Sequence, residues 1–107
     1  MAPNSIDVFS ALANPARRQI LAALREGPCH VTALAQGFRI GRPAVSEHLQ
    51  VLRRAGLVRE EPRGRERYYH LDPRPLGEVE AWLQTFTYHW TERMQALGLL
   101  LEEEHKR

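Results

Sequence analysis

The sequence predicts a mainly α-helical fold carrying one small β-hairpin, arranged as a winged helix-turn-helix. Two short helical segments separated by a Gly41-Arg42 break lie within residues 32–55. The apolar period switches from helical to alternating after Gly56, across residues 57–71, and a long helical stretch follows Pro73-Arg74-Pro75. Two helices joined by a short turn make a helix-turn-helix, and a hairpin behind them makes a wing.

Ser5 or Asn4 is placed to cap a first helix with Ile6, Phe9 and Leu12 on one face. Asn14-Pro15 starts a second helix: asparagine caps, and proline next to it has helical φ and no N–H to leave unpaired. Ile20, Leu21 and Leu24 face inward, and Gly27-Pro28 stops the helix. Thr32 is the expected cap of a short third helix with Leu34, Ala35 and Phe38, weakened near its end by Gly37. Pro43 opens a fourth helix, which runs to about Arg54 and ends at Ala55-Gly56. Residues 57–61 and 65–71 read as two antiparallel strands around a Pro62-Arg63-Gly64 turn. Arg67, Tyr69 and Leu71 share one strand face; Glu66, Tyr68 and His70 share the other. The last helix, about residues 75–104, spans roughly 40 Å at ~1.5 Å per residue.

With 107 residues, 43% hydrophobic and 26% charged, the chain has the size and balance of a single domain. The formal net charge is only +2, but it is sorted along the chain. Residues 53–67 hold six arginines against three glutamates, and residues 76–104 hold six glutamates against one arginine. A basic middle fits a polyanion bound on one side; it also describes two solvated faces of different charge. The single cysteine, Cys29, excludes an intrachain disulfide and a multi-cysteine zinc site within one chain. Beside His30 it is open to a redox role or to being an inert thiol. Residues 1–7 lack the basic start and apolar stretch of a signal peptide. No apolar run approaches the ~20 residues that cross a bilayer, so a cytoplasmic protein with no membrane partner is expected. No nucleophile–base pair, phosphate-cradling glycine loop or carboxylate dyad stands at a recognisable spacing, so no enzyme is expected.

The fourth helix carries Val45, Leu49 and Leu52 as a buried stripe, with Pro43, Ser46, Glu47, Gln50 and Arg53 or Arg54 on the other side. Serine, glutamine and arginine offer adaptable or bidentate hydrogen bonds to base edges and phosphates. An ordinary amphipathic surface helix has the same look. The hairpin tip, Arg63-Gly64-Arg65 flanked by Arg59 and Arg67, adds a second signal. Arginines on a narrow ribbon reach phosphates or a minor groove. Helix pair and basic ribbon together point to double-stranded DNA as partner.

Three runs carry a family resemblance: Phe9-Ser-Ala-Leu-Ala-Asn-Pro-Ala-Arg-Arg-Gln-Ile-Leu, Arg42-Pro-Ala-Val-Ser-Glu-His-Leu-Gln-Val-Leu-Arg-Arg-Ala-Gly-Leu-Val and Gly64-Arg-Glu-Arg-Tyr-Tyr-His-Leu. In content and order they resemble the ArsR (ArsR/SmtB) transcriptional repressors over nearly the whole chain. The resemblance implies a winged helix, a homodimer built on the first and last helices, and inverted-repeat operators. It places recognition positions at Ser46, Glu47, His48 and Gln50 and the wing at Arg63 and Arg65. With the helix start and the flanking arginines, the expected DNA-binding set is Arg42, Pro43, Ser46, Glu47, His48, Gln50, Arg53, Arg63, Arg65 and Arg67. The run from Glu80 to Met94 resembles a branch that often lacks recognised metal ligands and whose members commonly regulate their own operon.

Of the family's two best-known sensor patterns, a Cys-x-Cys pair near the recognition helix is absent. The second, Asp-x-His-x10-His-x2-Glu on the last helix, maps onto Leu76, Glu78, His89 and Glu92. Leu76 cannot ligate a metal, and His89 and Glu92 also describe a plain surface pair three residues apart. No metal and no cofactor is expected, with Glu78, His89 and Glu92 the only weak candidates.

The last helix also reads as a partner surface. With Leu76 at heptad position a, Leu83, Trp90 and Leu97 share that position, while Val79, Phe86, Arg93 and Leu100 fall at d. Such a seam exceeds what a small helical platform needs to cover itself, and the surplus is expected to face a second copy. Phe9 of the first helix joins Leu76, Val79, Leu83, Phe86, Trp90 and Leu97 in the expected interface. The leading expectation is a repressor without a required effector. A metal- or ligand-responsive repressor, and an adaptor that lost DNA binding, stay open beside it.

Overall fold

The computed structural model describes residues 5–106. Its first helix, α1 (Val8–Leu12), is capped by Asp7, whose carboxylate accepts from the N–H groups of Phe9 (3.1 Å) and Ser10 (3.3 Å). The cap is therefore not Ser5, and Asn4 lies outside the described residues. A helix this short has one inward side, and starting it at Val8 puts Val8 and Ala11 there, leaving Ile6, Phe9 and Leu12 half-buried. In α2 (Pro15–Leu24) the expected Asn14 cap is present: its Oδ1 accepts from Ala16 (2.8 Å) and Arg17 (3.3 Å). Ile20, Leu21 and Leu24 are buried as the helical spacing requires.

A short strand, β1 (Cys29–His30), leads straight into α3 (Val31–Gln36). Neither the strand nor the cap that follows it was expected. Extended backbone at His30 gives that residue the N-cap geometry, and its Nδ1 accepts from the Ala33 N–H at 3.4 Å, the role assigned above to Thr32. A two-residue strand carries no alternation to read.

Helix α4 (Arg42–Arg54) buries Val45, Leu49 and Leu52. It stops at Ala55, and Gly56 follows with φ +77°, where a Cβ would also press on Pro75 at 3.4 Å. The wing is β2 (Val58–Arg63) and β3 (Glu66–Leu71). With β1 they form a three-stranded antiparallel sheet in the order β1-β3-β2, rather than an isolated hairpin. The turn is Gly64-Arg65 rather than the expected Pro62-Arg63-Gly64. Gly64 alone takes positive φ (+62°), the pattern of a type II′ turn with glycine first. Pro62 thus sits inside β2, which it can do because β2 is an edge strand.

The core gathers Ile20 of α2, Val45, Leu49 and Leu52 of α4, and Leu57. The segment before α1 is tied to the end of α4 by the Ile6 N–H donating to the Arg54 carbonyl (3.1 Å). These contacts hold α4 and the wing in one frame.

Helix α5 (Leu76–Lys106) has 31 residues, about 46 Å at ~1.5 Å per residue. The chain falls into two compact units divided between Gly77 and Glu78, so most of α5 forms the second. Within it Trp82 and Phe86 meet edge to face at 5.0 Å. Phe86 and Trp90 are 56% and 64% exposed, and Leu83, Leu97 and Leu100 are exposed with them. Among the described residues no helix is long and apolar enough to cross a membrane.

Candidate nucleic-acid interface

A cleft of about 290 Å³ opens between α4, the wing and the start of α3. Arg42, Ser46 and Gln50 line it from α4, Arg65, Glu66, Arg67 and Tyr69 from the wing, and His30, Val31 and Thr32 from the other side. Arg42, Ser46 and Gln50 lie four residues apart, on one face of the helix. Five of the expected DNA-binding residues therefore share one concave surface. Pro43 and Glu47 lie exposed on α4 but do not line the cleft.

The arginines of this surface differ in their partners. Among the described residues Arg42 and Arg65 form no ion pair. Arg53, at the end of α4, reaches the Glu60 carboxylate at 3.2 Å, and Arg67 donates to the same carboxylate. Hydrogen bonding to Glu60 raises the Arg67 pKa above its ordinary value. Arg63 donates to Glu61 and lies 4.3 Å from the centre of the Tyr68 ring. That hydrogen bond holds the Glu61 carboxyl below its usual value. His70 approaches Glu61 at 3.5 Å. Burial, with Glu60 beside it, pushes the Tyr69 hydroxyl up. Glu60 and Glu61 were not singled out from the sequence, although their alternation sends them to opposite strand faces.

His48 is placed differently from its neighbours. Its Nδ1 lies 3.4 Å from the Arg17 guanidinium of α2, and it does not line the cleft. His48 is two residues, about 200° of helical turn, before Gln50, which puts it on the far side of α4. Of the expected DNA-binding set, His48 is the member that instead makes a half-buried polar contact with α2.

On α5, Leu83, Phe86, Trp90 and Leu97 follow one stripe, Leu76 and Val79 are half-buried at its start, and Arg93 interrupts it. Phe9 is half-buried on α1. Glu78 stands eleven residues before His89, roughly 16 Å along a helix, so one ion cannot meet both within a chain. Among the described residues no group of three or more His, Cys, Asp or Glu is placed to hold a metal ion. Cys29 is half-buried, its thiol donating to the Gly27 carbonyl at 3.6 Å.

Residues 14–60, from the cap of α2 into the wing, match the bacterial regulatory protein, arsR family. The HTH-type transcriptional regulator Rv2034 of Mycobacterium tuberculosis (strain ATCC 25618 / H37Rv) is 40% identical over 96 residues, covering 90% of this chain and 87% of that protein. The chain belongs to the ArsR family. As an ArsR-family protein it is a DNA-binding transcriptional regulator of the winged helix-turn-helix class and not an enzyme. The transcriptional repressor SdpR of Bacillus subtilis (strain 168) is 32% identical over 80 residues, covering 75% of this chain and 89% of that repressor. Among solved structures, the ArsR family transcriptional regulator RHA00566 superposes with a TM-score of 0.69 at 36% identity, covering 78% of this chain and 91% of that one.

Proposed function

We propose that this ArsR-family protein represses transcription by gripping an inverted-repeat operator as a homodimer, with α4 in the major groove and the wing on the flanking backbone. The observation that carries this reading is the shared cleft: Ser46 and Gln50, which suit base edges, open onto the same surface as Arg42, Arg65 and Arg67, which suit phosphates. Pro43 and Glu47 are exposed on the same helix, and Arg53 and Arg63 are held by glutamates without lining the cleft. The homodimer is supported by the exposed stripe of α5, since a monomer rarely leaves so many large apolar side chains in water. In this reading the chain is one winged domain with its dimerisation helix, works in the cytosol where the DNA lies, and needs no cofactor. It fits a regulator of its own operon.

Binding-site selection on random duplex DNA, with and without chelator and with added divalent metals, tests the proposal. The expected result is a palindromic motif whose half-site centres lie about 10 base pairs apart, recovered equally with and without chelator. Recovery of no motif would favour an adaptor. Loss of binding with one metal, restored by His89→Ala, would favour a sensor acting through Glu78, His89 or Glu92.

A further inference from the structure

We infer that Glu60 is a positioning residue for DNA recognition: one carboxylate on β2 ties Arg53 of the recognition helix to Arg67 of the wing, so that base-reading and phosphate-gripping parts move as a single surface. The proposal rests on the DNA reading above and adds a residue which that reading does not assign.

The geometry has three parts. Arg53 and Arg67 come from different elements, the last turn of α4 and the start of β3, and both end on Glu60. Arg53 stands seven residues, two helical turns, beyond Ser46, and so on the face of α4 that opens onto the cleft. Arg67 lines that cleft itself. The exposures are ordered: the Glu60 side chain is 11% exposed, while those of Arg53 and Arg67 are 53% and 68% exposed. The carboxylate lies beneath and the guanidiniums reach out over it.

That order favours support over competition. A carboxylate so covered is costly to leave unpaired, which holds both arginines in place. Each guanidinium carries five N–H donors, and a bond to Glu60 leaves others free to meet phosphate oxygens. Without the carboxylate, two like charges on separate elements repel, and the wing loses its tie to the helix end. Simple charge counting predicts a different outcome: removing a negative charge would tighten binding to every duplex alike.

The test compares Glu60→Gln, which keeps shape and removes charge, with Glu60→Asp, which keeps charge and shortens the reach. Affinities are measured for the duplex recovered by selection and for a scrambled duplex, at several salt concentrations, with melting followed by circular dichroism. For Glu60→Gln the scrambled duplex is expected to bind more tightly with a steeper salt slope, while the ratio of selected to scrambled affinity falls roughly tenfold. For Glu60→Asp the scrambled affinity and slope stay at wild type and the ratio falls by less. A folded variant that keeps the wild-type ratio overturns the proposal. Unfolding of both variants overturns it as well, by making Glu60 a stability residue. A wild-type chain that does not discriminate between the two duplexes sinks the DNA reading itself, a result distinct from an unchanged ratio in a discriminating protein.

Discussion

Arg17 of α2 and His48 of α4 meet at 3.4 Å, and the same Arg17 guanidinium donates to the Ala11 carbonyl at 2.7 Å and the Ser10 carbonyl at 3.1 Å. One side chain thus joins the end of α1, the start of α2 and the side of α4 away from Gln50. Arg17→Ala removes hydrogen bonds from a charged donor and leaves carbonyls unpaired, so it is expected to lower stability by roughly 1–3 kcal/mol. His48→Ala is expected to lower it less and to leave the ratio of selected to scrambled affinity within about twofold of wild type. Urea melts and duplex titrations read the two effects. A loss of selectivity in folded His48→Ala would return His48 to the DNA face.

Gln50 and Arg65 line one cleft but are expected to do different work. Gln50→Ala should relax base choice at one position per half-site, at a cost of roughly 1–3 kcal/mol. Arg65→Ala, at the wing tip, should weaken all duplexes alike and flatten the salt dependence by roughly one to two units across a dimer. Repeating the selection with each variant, and titrating at several salt concentrations, checks both. If Arg65→Ala loses only the selected duplex and keeps its slope, the wing reads bases.

The exposed stripe of α5 sets a test of oligomeric state. Phe86→Glu combined with Trp90→Glu would place four carboxylates in an apolar dimer seam, each without a partner. Sedimentation of this variant is expected to show monomer or unfolded chain. A native dimer that survives the change would put the seam elsewhere.

Asp72 supplies a pH test. The Arg74 guanidinium and backbone N–H hydrogen-bond its carboxylate just before α5, holding its pKa at about 2 against an ordinary 3.8. A folded-state pKa below the unfolded value means the carboxylate's contribution is complete above about 3.8 and is lost as pH falls toward about 2. Asp72→Asn should therefore melt below wild type at neutral pH, with the gap closing across that acid window. A carboxyl titration of Asp72 by NMR with its midpoint near 3.8 would contradict the assignment.

The helices were legible because their signals are local. Asn14-Pro15 starts α2 and the Val45, Leu49, Leu52 stripe buries α4 through backbone geometry and spacing alone. The wing was legible as a change of period with a glycine at its turn, though its register was not. Pro62 reads as a turn residue until the sheet order shows that β2 is an edge, where a missing N–H leaves no neighbour unpaired. Family motifs, too, are written along the chain, which is why the ArsR resemblance is legible in the sequence by itself.

Tertiary structure alone decided which side chains meet. Strand β1 is only Cys29 and His30, too short for a pattern, and exists because β3 offers an open edge. His48 follows Glu47 in a run that reads as recognition helix, yet it meets Arg17, thirty-one residues earlier, rather than lining the cleft. Arg53 and Arg67 look like two more basic residues until the hairpin folds Glu60 between them. Spacing determines the face of an element on which a residue lies, because helix and strand periods are local. It does not determine which face another element presents, because that follows from packing between segments distant in sequence.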